Sequence, residues 1–316
     1  MLTKVSTKDM PHEQWIAERN KSIGGSDAAA LLGLNEYNSP YSLWCEKTGK
    51  LVPVDISDKE SVRLGNDLEQ YVADRFMEAT GKKVRKNNHI IYNSDYPFAH
   101  ANIDRDVVGE DAGLECKTSS SWEILQQCRD GEYPSHWYAQ IVHYMMVTGA
   151  KKWYLAVLIF GKGFFHFEIE RNDAEIAALA TAESDFWSNV KNNTPPALDG
   201  TDATQEALRV VLKDSADGQA IDLTGVSGHI LMYNTLKKQI AELENDLAMH
   251  PAHIMDYMGT ASKGTCGDTS ISFKTQVRKN FDRKAYEAAN GPIPDMYFKE
   301  SKSRPFKVTV KKAKEN

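Results

Sequence analysis

Glu115 and Lys117 stand two residues apart in the run Gly113-Leu114-Glu115-Cys116-Lys117-Thr118, and Asp104 closes the preceding run Ala101-Asn102-Ile103-Asp104. Residues i and i+2 of a strand project from one face, so a carboxylate and an ammonium share a side. On a buried-looking strand that pairing is costly unless the two groups serve a common ligand. Asp104, at the end of a neighbouring strand, can bring a second carboxylate to the same place. Two carboxylates with room for water and a phosphate suit Mg²⁺, with Mn²⁺ as a substitute, because these ions take oxygen ligands. A lysine beside them can orient or help deprotonate an attacking water and balance phosphate charge. The chemistry indicated is phosphodiester hydrolysis. Plainer readings stay open: a salt bridge for Glu115 and Lys117, and a turn cap for Asp104.

Two polar residues on helical stripes point to the same place. Glu69 lies in the stripe Val62, Gly65, Glu69, Val72 and Phe76, spaced three and four apart, which should face a sheet. An inward carboxylate needs compensation, by a cation or by a core arginine such as Arg63 or Arg105. Gln140 falls in the stripe Trp137, Gln140, Ile141, Tyr144 and Met145. Its amide can hold a water or a phosphate oxygen, or simply satisfy itself at a helix edge.

Helices and strands must position these residues, and their signals are readable. Ser26 is expected as the N-cap of a short helix from Asp27 to Leu32, and Ser39-Pro40 opens a second. Ser57 and Glu60 have capping-box spacing for a long helix ending at Gly81. Strand-like runs follow at 89–92, 98–103 and 113–118, then a helix from Ser135 to Val147, strands at 153–160 and 164–170, and a helix from Asp173 to Lys191. This order predicts an α/β (α+β) fold, a mixed central sheet flanked by helices. Pro195-Pro196 and the polar stretch after them divide the chain into a core, 1–198, and an extension, 199–316. In the extension Val226, Ile230, Tyr233, Leu236, Ile240, Leu243 and Leu247 predict a long amphipathic helix, expected to pack on the core. Runs at 270–275 and 305–310 read as a small β element.

The 316 residues include 41% hydrophobic and 26% charged residues, the balance of a soluble globular protein. Without a secretory-type leader or a membrane-length apolar run, the expected location is cytoplasmic and no membrane partner is expected. Cys45, Cys116, Cys128 and Cys266 show no close pair, which argues against a metal–thiolate cluster or a disulfide framework. The net charge of −6 excludes a chain coated in positive charge but leaves room for local basic linings, such as 82–86, 151–152 and 299–314.

Taken in order, these residues resemble the PD-(D/E)XK nuclease superfamily, with Asp104, Glu115 and Lys117 as its D…ExK element. More narrowly the chain resembles the YqaJ-type viral recombinases, relatives of phage lambda exonuclease. The likeness runs through Arg19-Asn20-Lys21-Ser22-Ile23-Gly24-Gly25-Ser26-Asp27, Gly65 to Glu69, Gly113 to Thr118, Trp137 to Gln140 and Lys279 to Lys284. Ile103 stands where the superfamily has proline. The resemblance implies a restriction-endonuclease-like core and metal ligation by Asp104, Glu115 and the Cys116 carbonyl. It further implies that Lys117 assists the water, Glu69 meets metal-bound water or a second Mg²⁺, and Gln140 positions the nucleophile. Arg19 and Ser26 match positions that bind a 5′-terminal phosphate, although Ser26 also reads as an ordinary cap. The family further implies 5′→3′ exonuclease action on linear duplex DNA ends that leaves 3′ overhangs for phage-type recombination. It also implies a homo-oligomer, commonly a ring trimer, and a single-strand annealing protein as partner. Two other readings use the same residues: a structure- or site-specific endonuclease, and a non-catalytic DNA-end-binding protein. Neither a helix-turn-helix nor a zinc finger supports the first, and an intact D…ExK set speaks against the second.

Overall fold

Alternation along 112–119 and 152–159 does produce strands, and the long crossover between them makes those two strands parallel. The structure, a computed structural model, describes residues 1–53, 56–214, 218 and 220–297. The strand predicted at 305–310 and the basic tail 299–314 lie outside them. The chain forms two compact units, Met1–Lys213 and Asp214–Asn316.

The first unit begins with β1 (Leu2–Ser6), α1 (His12–Arg19), α2 (Gly25–Leu31), α3 (Pro40–Lys47) and α4 (Glu60–Thr80). Then come β2 (Val84–Lys86), β3 (His89–Asn93), β4 (His100–Ala101), β5 (Arg105–Val107) and β6 (Ala112–Ser119). After α5 (Trp122–Arg129) and α6 (Ser135–Thr148), the hairpin β7 (Lys152–Ile159) and β8 (Gly163–Glu170) leads into α7 (Asp173–Lys191) and α8 (Asp202–Val211). The central sheet is mixed, in the order β2-β5-β6-β7-β8, with only β6 and β7 parallel. A second, antiparallel sheet runs β1-β3-β4.

The expected α/β architecture is therefore present, but its strands are partitioned differently. The run at 98–103 contributes only His100–Ala101, in the smaller sheet. The neighbour of β6 is instead β5, three residues long and too short to show a period in sequence. The basic run 82–86 supplies an edge strand, β2. Ser57 does not cap α4, which starts three residues later with Lys59 at the cap position. Pro195 and Pro196 fall inside the first unit, because α8 follows them and packs through Ala207 against Tyr41, Leu43 and Phe186.

Two apolar layers sandwich the sheet. On one side Val72, Ala73 and Phe76 of α4 pack with Leu114, Tyr154 and Ala156. On the other, Ile141 and Met145 of α6 and Ile176 and Leu179 of α7 pack with Trp153, Leu155 and Val157. Odd and even residues of β7 thus serve opposite layers, as the pleat requires. A Cβ at Gly113 would lie 2.3 Å from the Trp153 ring, so the ring occupies the space a larger residue would need.

The second unit contains α9 (Ser227–Met258), which extends the predicted helix by about three turns and tolerates Pro251 within it. An antiparallel hairpin, β9 (Lys263–Cys266) and β10 (Thr269–Ser272), and then α10 (Arg283–Asn290) follow it. Of this hairpin the sequence reading had only part of the second strand.

Candidate active site

Leu114 and Cys116 of β6 turn toward α4, so Glu115 and Lys117 must turn toward α6. There Gln140 ties them together. Its Nε2 donates to Glu115 Oε1 at 2.9 Å, while its Oε1 accepts from Lys117 Nζ at 2.9 Å. Lys117 Nζ also pairs directly with Glu115 Oε1 at 2.7 Å. Asp104 sits at the bend between β4 and β5, where its Oδ2 accepts the Cys116 N–H at 2.8 Å. Asp104, Glu115, Lys117, Cys116 and Gln140 are thus brought together.

Burial, followed by the charges of Glu115 and Glu69, pushes the Asp104 carboxyl well above the usual range. Two inward carboxylates repel unless protonated or joined to a cation. Glu115 is 3% exposed, and its Oε2 is buried without a hydrogen-bond partner. This orphan oxygen, next to a strained neighbouring carboxylate, is the donor chemistry a hard divalent cation would satisfy. Among the described residues, no group of three or more His, Cys, Asp or Glu side chains stands ready to hold a metal. Two carboxylates and a carbonyl fit such an ion only with water or phosphate completing the shell. For Lys117, burial acts to lower the ammonium pKa, but Glu115 outweighs it and holds the value above the ordinary one.

Glu69 differs from the expectation of an inward carboxylate awaiting metal. Arg105, 2% exposed, ion-pairs with it, and Lys86 stands 3.6 Å away. Arg105 also donates to the Asp104 carbonyl at 2.9 Å and to Gln70 Oε1 at 3.2 Å. The alternative partner named from sequence, Arg105, is the one found. Glu69 still lies close enough to raise the Asp104 pKa.

Arg19 and Ser26 meet, Arg19 Nη2 donating to Ser26 Oγ at 3.0 Å. Ser26 is not the cap of α2. That position belongs to Gly24, whose N–H donates to Asp27 Oδ2 at 2.9 Å, and Ser26 lies inside the first turn. Lys47 holds this loop by pairing with Asp27 at 2.7 Å and donating to the carbonyls of Ser22 and Arg19 at 3.0 and 3.3 Å. The Arg19 guanidinium lies 4.4 Å from the Trp15 ring centroid.

Tyr144, one turn beyond Gln140, joins the two groups and was named in sequence only as part of a stripe. Its hydroxyl accepts from Gln140 Nε2 at 2.7 Å. Burial, then the Glu115 and Asp104 charges, raises its pKa, and Arg19 acts in the opposite direction. A Cβ at Gly25 would stand 2.5 Å from the Tyr144 ring, so the glycine is what lets the first turn of α2 lie against that ring.

Behind this lies a buried chain that sequence could not reveal. His143 Nδ1 and Glu183 Oε1 are 2.7 Å apart, both side chains fully buried, and His143 Nε2 bonds the His100 carbonyl at 2.8 Å. His100 Nδ1 bonds Ser22 Oγ at 2.9 Å, and burial, then the charge of His143, drops its pKa to about 3. The chain links α7, α6 and β4 to the loop before α2.

A model of the YqaJ-like viral recombinase domain matches residues 14–151. Over 303 residues the chain is 39% identical to the protein YqaJ of Bacillus subtilis (strain 168), covering 95% of this chain and 93% of that protein. Similar solved structures include an alkaline exonuclease, LHK-Exo, from Laribacter hongkongensis, at TM-score 0.48 and 21% identity over 58% of this chain and 94% of that one. LHK-Exo in complex with dAMP matches at TM-score 0.49 and 20% identity, over 64% and 98% respectively.

Proposed function

The chain belongs to the YqaJ-like viral recombinase family, and from that premise we propose that it is a Mg²⁺-dependent exodeoxyribonuclease acting at ends of linear duplex DNA. The observation that carries this reading is the buried Asp104–Glu115 pair with an unpartnered Glu115 Oε2, beside Lys117 and Gln140. Asp104, Glu115 and the Cys116 carbonyl would hold the ion, which polarises the phosphate and lowers the pKa of its water.

The chain's own groups do the rest. Lys117, whose pKa Glu115 holds above the ordinary value, can donate to the water or to a phosphate oxygen. Gln140 can turn its amide from Lys117 to the nucleophile, while Tyr144 restrains it from the other side. Water adds to phosphorus and gives up a proton to solvent as the P–O3′ bond breaks. O3′ takes a proton from solvent and leaves as a 3′-hydroxyl, and the remaining strand keeps a 5′-phosphate. Glu69 acts by fixing Arg105, and through it the Asp104 carbonyl, and would also be near enough to meet water on the ion. Arg19 and Ser26 take the 5′-terminal phosphate, Arg19 through a charge-assisted grip. That anchor gives the enzyme 5′→3′ direction, and the new 5′-phosphate can occupy it after each cut. Ring assembly, commonly of three copies, and a single-strand annealing partner complete the proposal for a role in recombination.

A linear duplex labelled at either 5′ or 3′ ends, incubated with Mg²⁺ or EDTA beside a covalently closed circle, tests it. Release of 5′ label first, with Mg²⁺ alone and with the circle intact, is expected. Cleavage in EDTA would refute the metal chemistry, and nicked circles would refute the exonuclease. Arg19→Ala should erase the preference for 5′-phosphate over 5′-hydroxyl ends, read from initial rates. Equal wild-type rates on both ends would remove that role.

A further inference from the structure

Trp122 is exposed over 61% of its surface, whereas Trp44, Trp137 and Trp153 are buried and Trp15 and Trp187 half-buried. A large apolar ring left in water is unfavourable unless something covers it in use. Two cations flank it: Lys162 Nζ lies 5.0 Å from the ring centroid and Arg129 Cζ 5.9 Å. Leu125 and Cys128 are the buried residues of α5, and Trp122 and Arg129, two turns apart, lie together along one exposed flank of the helix.

The position of this trio ties it to the site. Trp122 opens α5 directly after β6, the strand that carries Glu115 and Lys117. Ser119, the last residue of β6, pairs with Ile159, the last of β7, and Lys162 follows in the turn before β8. Trp122 and Lys162 therefore lie beyond the same end of the sheet, the end toward which Lys117 lies.

We propose that Trp122, Lys162 and Arg129 form a stacking platform for an unpaired DNA base, the two cations taking the phosphates on either side. This rests on the DNA reading of the neighbouring site. Every base presents a π-face, so an exposed indole accepts unpaired strand without regard to sequence, and flanking cations track its backbone. A protein partner would call for an apolar collar around the ring, and this ring is bracketed by charge instead.

The test uses the full chain in EDTA, titrated with a labelled oligothymidylate while tryptophan fluorescence and label anisotropy are read. Wild type should show quenching. Trp122→Phe should lose that quenching yet bind within about threefold, and Trp122→Ala should bind roughly tenfold more weakly. Joint replacement of Lys162 and Arg129 by glutamate should flatten the log–log salt dependence by about one to two. Unchanged affinity in Trp122→Ala, or quenching that survives in Trp122→Phe, overturns the platform. Wild-type hydrolysis of linear duplex with Mg²⁺ is read separately. An active enzyme whose Trp122→Ala binding is unmoved sinks the platform alone. An inactive one whose Trp122→Ala binding falls sinks the nuclease reading and keeps the platform.

Discussion

Burial and two neighbouring carboxylates all press Asp104 toward its neutral form, while Lys117 is held charged one strand away. A cation held by the two carboxylates would relieve that pressure and leave Lys117 free to meet the substrate. Lys117→Ala should therefore keep the fold and DNA binding but lose on the order of 10²-fold or more in turnover on linear duplex, since electrostatic stabilisation at the phosphate disappears. Near-normal rates would show that the D…ExK spacing is accidental. Glu69 makes a contrasting prediction, because Arg105 is 2% exposed and depends on it. Glu69→Gln should lower stability by about 1–3 kcal/mol, the cost of leaving a buried donor imperfectly paired. Urea denaturation measures it, and an unchanged midpoint would mean that Gln70 and the Asp104 carbonyl suffice for Arg105.

At the scale of elements, α6 is the hub. It meets β6 through Gln140, α2 through Tyr144, and α7 through His143 and Glu183. For His143 burial acts to lower the pKa, but the Glu183 carboxylate outweighs it and holds the imidazole above its ordinary value. Burial likewise raises Glu183, against the effect of His143. Both shifts mean that the folded state binds more protons than the unfolded chain. The His143 contribution is fully present below the unfolded value of roughly 6.5 and is lost as pH rises through the folded one. Thermal melts from below neutrality into the alkaline range should show the difference between wild type and a His143→Gln/Glu183→Gln double variant shrinking with pH. A difference that grows toward alkaline pH would show that the pair is not held protonated.

For the whole molecule, the buried core residues among those described all belong to the first unit, Met1–Lys213. Every residue placed in the candidate active site belongs to it too. A chain ending at Lys213 should therefore fold cooperatively and retain Mg²⁺-dependent cleavage of linear duplex, read by circular dichroism melting and by nucleotide release. Loss of the cooperative melt would show that residues after 213 are part of the core. Among the described residues no helix is long and apolar enough to cross a membrane.

Strand pleat and helical pitch are local properties, so the sequence alone could put Glu115 and Lys117 on one face and Gln140 on an inward stripe. The cap of α3 and the runs that form α6, β7, β8 and α7 are legible for the same reason. Local periodicity could not locate β5, whose three residues carry no repeat, nor the two-residue β4; the chain's pairing into two sheets decides both. It named Arg63 and Arg105 as candidate partners of Glu69, and only the antiparallel pairing of β5 with β6 put Arg105 in place. His143 and Glu183 stand 40 residues apart with no pattern joining them, and each becomes a buried partner only when α6 and α7 pack. Tyr144 shows the division most directly. Its stripe sets the direction in which it points, and its hydroxyl meets Gln140 one turn away in the same helix, while the ring's contact with Gly25 arises only because α2, distant in sequence, is pressed against α6.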